Sequence, residues 1–309
     1  MLKKITNQRL ISFILTLIII LGILPTISLT VKASDIATSQ IIHIKTAEEL
    51  AAIGGELSAG RYYVLDNDIN LVDEWVPIDG FAGTFDGQGH SINNLFILGS
   101  SSCAGLFSYI NKEYNNITIK NVGVNIGKQG ITALQQGDYF AGVPISEITF
   151  AGGLVGANYG GIISNCYATG NVTAICYRSY AGGLVGYDYG GSITNCYATG
   201  NVDALSNAGG LIGDQGYDTI ITNCYRLKTQ TITGSTINES GTPLSESDMR
   251  KQSSFVGWDF DTIWAIDPNV NNGYPYLRPV SENAPAYPDN PAQSSNVVFT
   301  IIRQMLQAK

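Results

Sequence analysis

AGGLVGANYGGIISNCYATGNV, residues 151 to 172, returns thirty residues later as AGGLVGYDYGGSITNCYATGNV, residues 181 to 202. A shorter copy, NAGGLIGDQGYDTIITNCYRL, occupies residues 207 to 227. Self-similarity at a nearly fixed period is typical of proteins in which each repeat is one structural unit stacked on its neighbours. The repeat therefore decides the fold.

One asparagine aligns five copies, at spacings of 27, 44, 30 and 28 residues. The aligned residues are Asn94, Asn121, Asn165, Asn195 and Asn223. Two residues earlier the chain has Ile92, Ile119, Ile163, Ile193 and Ile221; one residue later it has Leu95, Val122, Cys166, Cys196 and Cys224; three later it has Ile97, Val124, Ala168, Ala198 and, as an exception, Arg226. Side chains alternate along a straight strand, so these apolar positions cannot share one face. We expect the strand to bend at the asparagine, which tolerates the left-handed conformation.

A right-handed parallel β-helix, or β-solenoid, reconciles these patterns, because equivalent residues of successive coils then form ladders. The Gly-Leu-apolar phrase supplies a second strand per coil, and glycine pairs such as Gly160-Gly161 and Gly190-Gly191 supply the turn between the two strands. The sequence predicts an all-β fold of about five recognisable coils.

The five cysteines do not read as a disulfide framework, because three of them share one position of the repeat. Cys166, Cys196 and Cys224 are predicted to stack inside the coils as buried thiols. A bridge between neighbours stays open as an alternative, although stacking in register rarely offers the required dihedral angle. Cys103 and Cys176 lie outside this ladder.

Short helical caps are expected at both ends of the solenoid, since an open end exposes the core. Thr46-Ala47-Glu48-Glu49 fits a capping box that leads into a helix with Leu50 and Ile53 on one side. A second helix is predicted to start at Ser245 to Asp248. The aromatic residues that follow, Phe255, Trp258, Phe260 and Trp264, are interpreted as a hydrophobic plug.

The first 33 residues have the layout of a secretory signal peptide, with basic residues, an uncharged run from Leu10 to Leu24, and cleavage predicted after Ala33. An uncleaved membrane anchor is the alternative. Without this segment the chain has 13 Lys and Arg against 25 Asp and Glu, a net charge of about −12. Such a charge disfavours nucleic acid and anionic lipid as partners. No stable membrane insertion is expected after cleavage.

The phrases Gly153 to Gly156, Gly183 to Gly186 and Gly210 to Gly213 resemble those of the GLUG-motif proteins, which are secreted or surface proteins of bacteria. The resemblance covers about residues 42 to 278, and residues 279 to 309 are a Pro, Ser and Asn-rich linker or tail. It implies a parallel β-helix at or near a bacterial surface. Relatives include adhesin-like proteins and IgA-specific metallo-endopeptidases, but the zinc-binding HExxH of the latter is missing here.

Two sets of residues are candidates for a site. Asp66, Asp68 and Asp86, with His90, would suit polysaccharide cleavage or, as weak candidates, a metal, but they also suit turns. Tyr167, Tyr197 and Tyr225 should point outward, and Tyr159 and Tyr189 recur in the turn. Stacked outward tyrosines make an aromatic strip for a sugar or a protein partner, or they merely stabilise adjacent strands.

These features favour an exported, non-catalytic interaction module of adhesin type, without a cofactor, whose partner is an extracellular protein or glycan. A carbohydrate-active or glycan-binding β-helix and a purely structural component of the envelope or matrix are the alternatives. The location expected is secreted or on the cell surface.

Overall fold

The computed structural model describes residues 41–55, 58–99, 101–110, 117–134, 139–140, 143–144 and 148–280. The predicted signal peptide, its cleavage position and nearly all of the predicted tail lie outside these residues.

The described chain is almost entirely β-structure. Its one α-helix is α1 (Ala47–Ala51), and short 3-10 turns cover Gln252–Ser254 and Asn271–Gly273. The first strands are β1 (Ile41–Ile44), β2 (Tyr62–Leu65), β3 (Ile69–Asn70), β4 (Thr84–Asp86), β5 (Ser91–Leu98), β6 (Cys103–Ala104), β7 (Phe107–Ile110), β8 (Thr118–Leu134), β9 (Tyr139–Phe140) and β10 (Val143–Pro144). The GLUG-like repeats contain β11 (Ile148–Gly152), β12 (Val155–Tyr159), β13 (Ile162–Thr169), β14 (Val172–Ile175), β15 (Arg178–Gly182), β16 (Val185–Tyr189), β17 (Ser192–Thr194), β18 (Tyr197–Ala198), β19 (Val202–Ala204), β20 (Asn207–Gly209), β21 (Ile212–Gln215), β22 (Ile220–Thr222) and β23 (Tyr225–Leu227). The last strands are β24 (Ile232–Thr233), β25 (Thr236–Asn238), β26 (Thr242–Leu244), β27 (Trp264–Ala265) and β28 (Tyr276–Leu277).

Three long sheets hold the repeats together, with 15, five and four strands in the described part of the chain. Every strand pair in these three sheets is parallel, and partners stand one repeat apart. Ala151 pairs with Ala181, Val155 with Val185 and Tyr167 with Tyr197. The thirty-residue period of the sequence is thus the strand register of the structure.

The aligned asparagines bend the main, 15-stranded sheet as the change of parity predicts. All five have positive φ, between 51° and 60°. The Asn195 amide donates to Oδ1 of Asn165 at 3.3 Å, and the Asn165 amide donates to Oδ1 of Asn121 at 3.1 Å. These amide bonds tie one repeat to the next.

Because of the bend, apolar side chains on both sides of each asparagine point into one core. Ile163, Cys166 and Ala168 are all buried in the same cluster, as are their counterparts in the next repeat. The exception in the last repeat, Arg226, is also buried and forms an ion pair with Glu239.

The stacked cysteines are thiols and form no disulfide in the described residues. Sγ of Cys166 and of Cys196 each donates to the carbonyl oxygen two residues earlier, at 3.2 Å. Burial raises the pKa of Cys196 well above its usual range. The ladder position therefore produces small buried apolar groups, as predicted.

A glycine immediately before each Gly-Leu-apolar-Gly phrase ends strands β11, β15 and β20, where these strands meet β12, β16 and β21. A Cβ on Gly152, Gly182 or Gly209 would lie 2.1, 1.9 or 1.9 Å from the carbonyl oxygen three residues later. None of the three has a positive φ. These glycines are required by lack of space at a tight corner, rather than by backbone conformation.

The N-terminal cap agrees with its prediction. Thr46 caps α1, and its side chain and that of Glu49 exchange the two bonds of a capping box. Leu50 and Ile53 are buried in the main core.

The C-terminal cap differs from its prediction in both respects. Ser245 starts one turn, closed by the bond from Met249 N to Ser245 O at 2.9 Å, and no helix follows. A capping sequence can start a turn. Extending that turn into an α-helix also needs packing contacts along one side of the helix, which residues 250 to 257 do not provide. Residues 245–280, called the strap below, instead run back across the main sheet from β26 to the end of β4, where Val280 N donates to Gln88 O at 2.9 Å.

The aromatic residues of the strap do not plug the end of the stack, so that interpretation is wrong. Phe255, Trp258 and Trp264 form a second buried cluster with the outward tyrosines of the repeats. The aromatic residues pack there because a continuous column of rings on the face of the main sheet offers a larger apolar contact area than an end of the stack.

Candidate functional site

The tyrosine column consists of Tyr167, Tyr197 and Tyr225, which point away from the main core. The first two rings stack with centroids 5.2 Å apart and planes 11° apart. All three are nevertheless buried beneath the strap, and Tyr197 has 0% exposure. The prediction of an exposed binding strip is wrong at these three positions, because a later segment covers them.

Polar bonds lock the strap onto this column. The Tyr197 hydroxyl donates to Pro275 O at 2.6 Å and accepts from Asn271 Nδ2 at 2.6 Å. The Tyr225 hydroxyl accepts from Val256 N at 2.7 Å. Burial raises the pKa of Tyr167 to about 12. The column is thus a buried interface within the protein.

A second group of rings reaches solvent at the outer side of the glycine corner. We call it the corner cluster; its members are Phe150, Tyr159, Tyr180, Tyr187 and Tyr189. Tyr189 is 47% exposed and the other four are half-buried. Burial raises the pKa of both Tyr159 and Tyr187.

Neighbouring repeats build this cluster together. Phe150 and Tyr180 stack at 5.3 Å as register partners on β11 and β15. Tyr187 on β16 packs across the corner against both, at 5.7 and 5.5 Å. The absence of side chains at Gly152 and Gly182 lets these strands approach closely enough for the rings to meet.

The next repeat continues the corner with polar groups. Asn207 is the register partner of Tyr180, and Asp214 is the partner of Tyr187. Asn207 Nδ2 donates to Asp214 Oδ2 at 3.0 Å. An aromatic surface with a hydrogen-bonding end is suited to contact a molecule that has both apolar and polar faces.

Three members of the corner cluster were missed by the sequence argument: Phe150, Tyr180 and Tyr187. Two of them immediately precede an Ala-Gly-Gly phrase, and Tyr187 immediately follows the Gly-Leu-Val-Gly phrase. These two positions flank the part of the repeat that is nearly the same in every copy, but they themselves vary between copies. This variation is the signal in the sequence that could have identified the three residues.

The predicted aspartates do not come together. Asp66 bonds to His43 at 2.6 Å, and Asp68 lies 3.4 Å from His90. Asp86 is fully buried, where it accepts from the Tyr62 hydroxyl at 2.9 Å. The three carboxylates serve separate local contacts, and no shared groove joins them.

Within the described ranges, no three His, Cys, Asp or Glu side chains gather closely enough to hold a metal ion. No helix there has the length and apolar character that crossing a membrane requires.

Comparison with known proteins matches residues 151–173 and 177–203 to the family model described as the GLUG motif. The chain carries the GLUG motif. The matched GLUG segments contain two of the three corner glycines, two of the five asparagine bends and four of the five members of the corner cluster.

Two proteins are similar to the GLUG chain. A provisionally named Gly-rich membrane protein of Evansella cellulosilytica is 33% identical over 131 residues, which are 40% of this chain and 11% of that protein. The crystal structure of a provisionally named immunoglobulin A1 protease from Bacteroides ovatus aligns with a TM-score of 0.51 and 20% identity over 79% of this chain and 94% of that one. The second likeness concerns the fold alone.

Proposed function

We propose that this chain is a surface-associated, non-catalytic interaction module, built as a right-handed parallel β-helix that presents the corner cluster to an extracellular protein or glycan. The observation that carries the proposal is a group of five aromatic rings, all partly open to solvent, that two successive GLUG repeats assemble on their outer side.

The strand register supports the β-helix. Each repeat contributes a strand to each of three parallel sheets, and residues from all three sheets share one core. A chain that advances by one parallel strand per sheet in every repeat winds around that core. The right hand is the usual hand of parallel crossover connections.

The corner cluster resembles a recognition surface in composition and exposure. Tyrosine and phenylalanine offer large contact areas at low cost in conformational entropy, and tyrosine adds a polar tip. The rings are held in place by each other and by the glycine corner, so little ordering remains to be done on binding. The tyrosine column cannot play this part while the strap covers it.

Two further points support a non-catalytic role outside the cell. The candidate carboxylates are each engaged in a different contact, whereas glycoside cleavage needs two of them across one bond. Residues 1 to 33 have the pattern of a secretory signal, and the relative from Evansella cellulosilytica is named as a membrane protein.

A binding assay with one exposed residue changed tests the proposal. The purified chain is titrated by biolayer interferometry against immobilised extracellular-matrix proteins and neutral glycans. Wild type is expected to bind at least one of them, and Tyr189→Ala to weaken that binding about tenfold or more. Tyr177→Ala is the matched control, because Tyr177 is 72% exposed and lies on the turn before β15, outside the cluster.

Circular dichroism melting of each variant separates lost binding from lost folding. The proposal fails if wild type binds none of these probes, which would favour a purely structural component. It also fails if folded Tyr189→Ala binds as wild type does.

A further inference from the structure

A cavity lies between the strap and the main sheet, away from the corner cluster. This strap groove has a volume of about 590 Å³, within the range of small-molecule sites. Its lining includes the side chains of Asp68, Ser91, Asn125, Thr169, Asn269 and Tyr276.

The groove exists because the tyrosine column stops at a glycine. Gly123 is the register partner of Tyr167 on one side and of Ser91 on the other. The Tyr167 ring leans over this position, where a Cβ would lie 2.2 Å from the ring. The next register partner after Gly123 is the small Ser91, and a space remains beneath residues 269 to 279.

Hydrogen bonds fix the polar wall of the groove on the sheet side. Asn125 Nδ2 donates to Asn93 Oδ1 at 2.7 Å, and Asn125 Oδ1 accepts from the Thr169 hydroxyl at 3.1 Å. Asp68 accepts from Ser91 N at 2.8 Å, and its side chain is 55% exposed. The hydrogen bond from His90 holds the pKa of Asp68 below its usual value, so the carboxylate is a permanent acceptor at neutral pH.

The strap side contributes an aromatic ring and amides. Tyr276 is half-buried, and Asn269 is exposed at the rim. Among the described residues that line the groove none is basic, and the one charged group is the Asp68 carboxylate. Fixed amides, hydroxyls and a carboxylate beside a tyrosine ring match the hydroxyls and apolar face of an uncharged sugar, whereas an anion would be repelled.

We infer that the strap groove binds a short, uncharged oligosaccharide, with Asp68 and Asn125 facing the sugar hydroxyls and Tyr276 facing the ring. The groove joins the C-terminal strap to the early repeats, so a bound sugar would also hold the strap in place. This site is separate from the corner cluster.

Isothermal titration calorimetry of the full chain tests the inference. The probes are lactose, cellotriose and tri-N-acetylchitotriose, with trigalacturonate as the anionic comparison. At least one neutral probe is expected to bind with a Kd in the micromolar to millimolar range, about −4 to −8 kcal/mol, and trigalacturonate is expected to bind at least about tenfold more weakly.

A blocking substitution ties binding to the groove. Asn269→Trp places an indole at the rim and should weaken binding of the neutral probe about tenfold or more. Thr229→Trp, at an exposed turn, should leave that binding unchanged. Tyr189→Ala should also leave it unchanged, so failure here is distinguishable from failure of the corner cluster. No heat with any neutral probe, equal binding of the anionic one, or unaltered binding by folded Asn269→Trp would overturn the inference.

Discussion

Glycine has two different tasks in each GLUG repeat, and the structure separates them residue by residue. Gly182 has an ordinary φ but no room, since a Cβ would meet the Val185 carbonyl at 1.9 Å. Gly190 has room, with its nearest neighbour at 3.8 Å, but a φ of +72°. The first serves the corner and the second serves the turn.

Alanine at these two positions should therefore have different costs. Gly182→Ala forces a methyl group into backbone and should cost at least about 3 kcal/mol of unfolding free energy or prevent folding. Gly190→Ala should cost about 1–2 kcal/mol, the price of a left-handed alanine. Urea unfolding followed by tryptophan fluorescence measures both, and equal losses would contradict the steric account of the motif.

Asp188 is a buried carboxylate in a position where the preceding repeat has an amide. It accepts from Asn158 Nδ2 at 2.5 Å and from the Thr219 hydroxyl at 2.6 Å. Burial still dominates and raises its pKa above the usual 3.8. The ionised form is thus less stable in the folded chain than in the unfolded chain.

The pH dependence of Asp188→Asn follows from that shift. A raised pKa means that the stability contributed by protonated Asp188 is fully present below about pH 3.8 and is lost as pH rises through the folded-state pKa. The stability of Asp188→Asn relative to wild type should therefore rise from pH 4 towards neutrality and then level off. Urea midpoints across this range measure the difference, and a difference that is constant or falls with pH would refute the assignment.

At the scale of the element, the strap is the part of the molecule that changes what the repeats expose. Trp258 and Trp264 stack with centroids 4.1 Å apart and together cover the Tyr197 ring. The Tyr197 hydroxyl completes two bonds beneath them. These contacts hold the strap, whose regular secondary structure is limited to two short 3-10 turns and two two-residue strands.

Tyr197→Phe keeps the ring and removes only those bonds. It should lower the unfolding free energy by about 1–2 kcal/mol, because Pro275 O and the Asn271 amide lose a buried partner. Limited proteolysis should cut the strap of this variant faster than that of wild type. Tyr189→Phe, whose ring is 47% exposed, is the control and should change neither result. A strap cut at the wild-type rate would show that these bonds do not hold it.

At the scale of the whole molecule, what the sequence could predict is what each residue specifies locally. The bend at Asn165 and the burial of Cys166 follow from side-chain parity and from the tolerance of asparagine for positive φ. The N-terminal helix follows from its capping box. These features need no information from distant parts of the chain.

What the sequence could not predict depends on segments that meet only in the fold. The alternation of side chains along the strand predicts that Tyr197 points outward. Whether an outward side chain is exposed depends on the strap, which follows about seventy residues later in the chain and buries Tyr197. Phe150 and Tyr187 belong to different repeats and meet across a corner whose angle the periodicity does not contain. The helix predicted at Ser245 does not form for the same reason, because that segment packs against the tyrosine column instead.

The outward tyrosine column is covered by the strap, whereas the corner cluster is an aromatic surface that is open to solvent. Nitration of the native chain with tetranitromethane, mapped by mass spectrometry, tests this directly, because the reagent needs accessible phenolate. Tyr217, 105% exposed, and Tyr189 should be nitrated readily, while Tyr167, Tyr197 and Tyr225 should stay unmodified until the chain is unfolded. Nitration of Tyr197 in the folded protein at the rate of Tyr217 would contradict the claim.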